Sequence, residues 1–264
     1  MYQNLSNLPT LKNFYKNKKK VLSEKNFGED LGIIKAKKIK KKEIEIFRNL
    51  VFKKITKNLK DHKLFLNKKF TSKNIENYHK YVDDKIQKIC LSKQGRILDR
   101  KSIKKIRSMD FFKNLKKTFG KYKISDEEKI GYENICFRLV RPFKKNDVGS
   151  IHADGWFWDY HKTYKPNNIN RVKIWFSICG DPNKSGLLFV PNSHKKKFVY
   201  QVIQNKNKLN FKLKKKIRDE QLAMFKENHG TPVLFNNSTL HVGSLNKSNK
   251  TRASIELTIL YKVK

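Results

Sequence analysis

The stretch from Ile151 to Asp159, IHADGWFWD, holds the residues best suited to chemistry. In an extended segment alternate side chains point the same way, so His152 and Asp154 would present an imidazole and a carboxylate together. Two His and one carboxylate on one face form a non-haem Fe(II) site whose opposite face stays open to co-substrate and O₂. The missing ligand must be a second His. His161, His194, His229 and His241 compete for that place, whereas His62 and His79 fall on helical patterns and read as structural. His241 follows a predicted strand, Gly230 to Phe235, and Arg252 opens the strand RASIELTIL eleven residues beyond it. A guanidinium so placed could return on a neighbouring strand and pair bidentately with a carboxylate held on the metal. His229 lacks an Arg at the matching distance, and Asp159 with His161 makes a pair of reversed order.

Elements with two different periods must position these groups. From Glu43, the residues Ile44, Phe47, Val51, Ile55 and Leu59 recur at the spacing of an amphipathic helix. Thr71 or Ser72 caps a second helix with the stripe Ile75, Tyr78, Val82, Ile86 and Ile89. A third runs from a Ser102 cap through Ile103, Ile106, Phe112, Leu115 and Phe119 to Gly120 as its C′ residue. Beyond Gly120 the period becomes two. YENICFRLV, RVKIWFSIC and RASIELTIL each set a greasy face against a polar one, and the polar faces carry Arg138, Lys173 with Trp175, and Arg252 with Ser254. Alternation alone fits a barrel enclosing a polar cavity or a sheet with one wet face. The metal motif favours the barrel. Gly186 to Val190 and Phe198 to Ile203 read as further strands, and residues 205–227 as an inserted loop or short helix shaping access.

Taken together, HxD, the distal His and the following Arg resemble the Fe(II)/2-oxoglutarate-dependent oxygenases. GLLFVPNSHK (Gly186 to Lys195) and LHVGSLNKSNKTRAS (Leu240 to Ser254) narrow the resemblance to the phytanoyl-CoA dioxygenase-like family, over roughly Asn134 to Leu260. The resemblance implies a mostly β core, a double-stranded β-helix (cupin-like jelly roll) with N-terminal α-helices packed outside. It implies Fe(II) on the catalytic trio His152, Asp154 and His241, with 2-oxoglutarate and O₂ as co-substrates. Arg252, helped by Ser254, would hold the distal carboxylate of 2-oxoglutarate, with Trp175 bordering it. Two positions depart from the family: Asn192 stands where PGSH is usual, and Gly243 where a hydroxyl residue often follows the distal His. From the residues themselves, Arg138 is a further contact for the co-substrate, and Trp156, Trp158 and Lys173 are candidates for a substrate wall. The expected reaction is hydroxylation of a small molecule, sugar-like or anionic. An acyl-CoA hydroxylase and a non-catalytic cupin-like binding protein are the alternatives.

A formal charge of +39 raises a further class, the basic nucleic-acid-binding protein. Only nine of the 62 basic residues are Arg, however, and abundant Asn and Ile accompany the Lys, which points to A/T-rich codons rather than to phosphate recognition. No helix-turn-helix signal or stacking motif on a basic sheet supports specific nucleic-acid binding. The chain of 264 residues, 38% hydrophobic, is long enough to bury a sizeable core. It divides into a poorly patterned Lys-rich arm (1–42) and a single oxygenase domain (43–264), helical over 43–120 and a double-stranded β-helix over 121–264. Cys90, Cys136 and Cys179 are far apart and read as buried free thiols in a reducing compartment. With no apolar run of membrane-spanning length and no signal-peptide pattern, a cytoplasmic location is expected.

Overall fold

A computed structural model describes residues 32–65, 67–162, 168–205 and 208–262. Residues 1–31 of the expected arm, including the lysine cluster Lys18 to Lys20, lie outside the described residues. The end of that arm is a strand, β1 (Ile33–Lys35), paired antiparallel with β9 (Val233–Asn236) so that Ile33 faces Phe235. Ile33 and Ile34 are buried, which is why this short apolar run completes a sheet.

The helices cover one side of the molecule. α1 (Lys41–Asp61) buries Ile44, Phe47, Val51, Ile55 and Leu59 at the expected spacing. Phe47 packs edge-on against Phe176 of β4 (Ile169–Cys179), with ring centroids 5.1 Å apart. Both rings are fully buried, so Phe47→Ala should destabilise the fold by about 3–5 kcal/mol in urea unfolding. Phe65→Ala, at a ring 88% exposed, should stay within about 0.5 kcal/mol.

The second and third expected helices are each divided. Ser72–Lys80 is a 3₁₀ stretch, whose period of three keeps Ile75 and Tyr78 in the core, and Asn74 within it is not helical. Asp83 then caps α2 (Asp84–Cys90) by accepting from the Ile86 amide. Asp99, not Ser102, caps α3 (Arg100–Arg107), and Ser102 is buried within that helix. A new start at α4 (Asp110–Phe119) is held by α1, because the Asp110 amide donates to Glu43 Oε1 at 2.8 Å. Gly120 ends α4 with φ 66°, as its position requires.

Six antiparallel strands form the larger sheet in the order β1, β9, β4, β11 (Arg252–Lys262) and β2 (Tyr122–Ile124), with β3 (Cys136–Val140) also paired to β11. The register sets Lys173 opposite Thr258, Trp175 opposite Glu256, and Ser254 opposite both Arg138 and Ser177. One face of these strands, with Phe137, Ile174, Phe176, Ile255 and Leu257, joins the core under the helices. The opposite face is covered by a second antiparallel sheet, β10 (His241–Gly243), β5 (Leu187–Phe189) and β8 (Ala223–Phe225). Trp175, Val233 and Phe235 meet Leu187, Phe189 and Phe225 between the sheets. A sheet with a wet polar face is therefore not what the alternating strands build.

Phe198 to Ile203, expected as a strand, largely is one, and two further strands fall within 205–227, the region expected as a loop or short helix. β6 (Tyr200–Asn205) and β7 (Lys208–Leu213) form a hairpin, followed by β8. Leu209, Phe211 and Leu213 pack with Trp156 and Tyr200 in a cluster of their own. That burial sets the period, which the interleaved lysines hide in the sequence. Among the described residues, no helix is long and apolar enough to cross a membrane.

Candidate active site

His152 and His241 are brought together by the backbone itself. The two residues form an antiparallel bridge in which the His152 amide donates to the His241 carbonyl at 3.1 Å and the reverse bond is 2.9 Å. Ala153 is extended, so Asp154, the first residue of α5 (Asp154–Tyr160), points to the same side as His152. Potential ligand atoms of His152, Asp154 and His241 all lie within 4.8 Å of one another. Asp154 Oδ1 stands 3.7 Å from His152 Nε2 and 3.8 Å from His241 Nε2.

The outer partners of the two rings determine which nitrogen faces inward. His152 Nδ1 lies 2.8 Å from the Ser150 carbonyl, and His241 Nδ1 lies 2.9 Å from the Thr239 carbonyl. A carbonyl only accepts, so each Nδ1 carries a proton and each Nε2 is the nitrogen turned toward Asp154. Burial pushes His241 down to about 4, so it is the neutral, ligating form at neutral pH. Burial alone would raise Asp154, but the Lys173 ammonium, with the imidazoles behind it, holds its carboxyl well below the usual range. Two imidazole nitrogens and an ionised carboxylate are the donor set that suits a divalent transition metal such as Fe(II).

These groups line a cavity of about 290 Å³. Arg252 also lines it, is 1% exposed, and donates through Nη1 to the Gly186 carbonyl. Its Nε is buried without a hydrogen bond, and among the described residues no carboxylate reaches it. Burial, reinforced by the charge of Arg138, lowers Arg252 to about 9. A buried cation in this condition awaits an anion.

Residues 133–254 match the family model described as phytanoyl-CoA dioxygenase (PhyH). The chain carries a phytanoyl-CoA dioxygenase family domain. It is an Fe(II)- and 2-oxoglutarate-dependent oxygenase. The fold is similar to that of a non-haem monooxygenase, ThoJ in its apo form, with TM-score 0.53 and 7% identity over 90% of this chain and 76% of the other. EvdO2 from Micromonospora carbonacea var. aurantiaca, complexed with 2-oxoglutarate, aligns with TM-score 0.46 and 13% identity over 63% of this chain and 67% of that one. No curated protein matches the chain in sequence.

The side chains of the oxygenase fit both groups that such a domain uses. The converging trio offers two nitrogens and one oxygen, and Asp154 Oδ2 is buried with no hydrogen bond. The unpaired Arg252 guanidinium suits the far carboxylate of 2-oxoglutarate. Trp175 lies beneath it, with the guanidinium carbon 5.9 Å from the ring centroid. At Gly243, where the family often has a hydroxyl residue, a Cβ would stand 3.0 Å from Arg252 Nη2. Ser254 Oγ is buried beside Arg252 without a hydrogen bond, yet Ser254 does not line the cavity.

The remaining expected residues divide between the cavity and the core. Arg138, Trp158 and Lys173 line the cavity. Trp156 does not, since it stacks on Tyr200 at 4.3 Å and packs into the hairpin cluster, so it supports α5 from behind. Of the rival histidines, His161 lines the cavity outside the trio. His229 bridges Ser177 Oγ and the Gly180 carbonyl, each at 3.0 Å. His194 is packed so tightly on Gly32 that a Cβ there would come within 2.3 Å of its Nδ1. Two acids with structural weight went unassigned in the sequence. Glu256 pairs with Arg96 and Arg138, each at 3.6 Å, and although burial would raise it, Arg138, Lys173 and Arg96 hold it at about 2. Its place on the polar face of RASIELTIL was the available signal. Glu127 lies in a turn between strands, where no period marks it.

Proposed function

We propose that this oxygenase hydroxylates a small, neutral, hydroxyl-rich molecule of sugar-like character. The observation that carries the reading is the balance of charge around the cavity. Five basic side chains, Arg96, Lys129, Arg138, Lys173 and Arg252, line it together with five acidic ones, Asp126, Glu127, Glu128, Asp154 and Glu256. In a chain with 62 basic residues against 23 acidic ones, that parity is local. Fe(II) and 2-oxoglutarate carry opposite charges of equal size, so the balance persists with both in place. Such a lining supports a polar neutral substrate over an anionic one. Trp158, with the Arg171 guanidinium 3.9 Å from its ring centroid, supplies an aromatic surface of the kind that sugar rings pack against.

In this reading the two facing sheets form a double-stranded β-helix with the helices outside it, and residues 43–264 act as one oxygenase domain. His152, Asp154 and His241 hold the metal, with each Nε2 turned inward by the carbonyl bonded to Nδ1. Arg252 binds the distal carboxylate of 2-oxoglutarate, and Arg138, Ser254 and Trp175 shape its surroundings. Iron with 2-oxoglutarate and O₂ supplies oxidative decarboxylation to succinate and CO₂ and the oxidising power for hydroxylation. The residues orient the reactants, keep one face of the metal site open, and exclude bulk water through Trp158 and Phe157 at the wall.

The test is succinate formation with Fe(II), 2-oxoglutarate and O₂ against a panel of free sugars, nucleotide sugars and acyl-CoA thioesters. Stimulation by free, uncharged sugars, with a product heavier by one oxygen, is expected. Stimulation by the anionic nucleotide sugars alone, or by acyl-CoA thioesters alone, would overturn the substrate reading. Binding of a sugar with no succinate formed would instead indicate a non-catalytic binding protein.

A further inference from the structure

We propose that Lys173 is a positioning residue for Asp154: its ammonium holds Oδ2 of that carboxylate, so that Oδ1 alone turns to the two imidazoles. The inference rests on the reading of His152, Asp154 and His241 as metal ligands. Lys173 Nζ stands 3.6 Å from Asp154 Oδ2, while the 3.7 and 3.8 Å approaches to the imidazoles are made by Oδ1. Oδ2 receives no hydrogen bond, so the charge of Lys173 decides which oxygen faces which way. A carboxylate free to rotate could offer both oxygens to a metal and occupy the face that the reaction needs open. Opposed by a fixed cation, it offers one.

Lys173 is itself held. It extends from β4, in the middle of the larger sheet, and its Nζ lies 3.3 Å from Glu127 Oε2. The other oxygen of Glu127 accepts from Thr258 Oγ1, and Thr258 is the cross-strand partner of Lys173. Thr258, Glu127, Lys173 and Asp154 thus form one chain of contacts from the sheet to the site. A lysine that binds substrate would keep its charge available to the cavity. Here it is shared between two carboxylates, so Lys173 moves from the substrate wall, where the sequence places it, to the support of the metal site.

The experiment is anaerobic titration with Co(II), followed by calorimetry, on the metal-free wild type and on Lys173→Met, Lys173→Arg and the double variant Lys173→Met/Glu127→Gln. Thermal unfolding of each metal-free protein reports on the fold. Loss of a group that orients a ligand typically weakens metal binding by about 10–100-fold. That loss is expected in Lys173→Met, with most of it recovered in Lys173→Arg. The double variant relieves the charge stranded on Glu127 and should keep wild-type stability while still binding Co(II) weakly. Wild-type Co(II) affinity in a folded double variant would overturn the proposal. Titration of His241→Ala separates the two failures: if it too binds Co(II) normally, the ligand reading is wrong, and if only it loses Co(II), the role of Lys173 is wrong.

Discussion

Alanine in place of His241 should abolish Fe(II) binding and 2-oxoglutarate turnover together, while the protein still unfolds cooperatively. The loss should exceed the roughly 10–100-fold typical of changes one shell further out, because a donor atom itself is removed. His241 is neutral as buried, so its removal strands no charge. The bridge that ties it to His152 is made by backbone atoms, which alanine retains. Asp154→Ala should have the same effect on iron, but with a cost in stability, since it leaves Lys173 with one carboxylate in place of two. Anaerobic titration with Fe(II) checks both variants. Full iron affinity in His241→Ala would transfer the second imidazole to His161, the other histidine of the cavity wall.

Arg252→Leu should lower 2-oxoglutarate affinity by well over tenfold with metal binding retained. Removing one partner of a buried, hydrogen-bonded charge pair costs about 2–5 kcal/mol. The free protein should respond in the opposite direction. Its guanidinium is already buried without a carboxylate, so leucine relieves a desolvation cost and the co-substrate-free variant should be at least as stable as wild type. Titration of 2-oxoglutarate into the Mn(II)-loaded protein, alongside thermal unfolding without either ligand, measures both arms. An unchanged 2-oxoglutarate affinity would move the carboxylate site to Arg138.

Much of this arrangement was legible because two periodicities separate cleanly. The alternation in RVKIWFSIC and RASIELTIL set Lys173, Trp175, Arg252, Ser254 and Glu256 on one face, and the register keeps them there. The stripe of α1 was equally plain. Breaks that depend on long-range partners were not legible. The restart at Asp110 is made by Glu43, far away in sequence, and nothing local announces it. Of the β6–β7 hairpin the first strand was legible, whereas β7 was hidden because Leu209, Phe211 and Leu213 carry its period within a Lys-rich segment. For the same reason Trp156 could not be told from Trp158: one faces an aromatic cluster and the other the cavity, and that choice depends on the turn of a helix only seven residues long. Glu127 was invisible because its role consists of contacts with two other strands.

The backbone bridge between His152 and His241 also bears on how the site comes into being. Neither residue belongs to a local motif of the other, and the chain between them contributes β4 through β9 before it returns. Closing so long a loop costs entropy that is recovered only when both sheets are docked. The donor set is therefore a product of late, non-local assembly. A partly folded chain, in which the helices and the larger sheet have already formed, would lack the paired imidazoles and would not capture metal before the fold that confines its chemistry is complete.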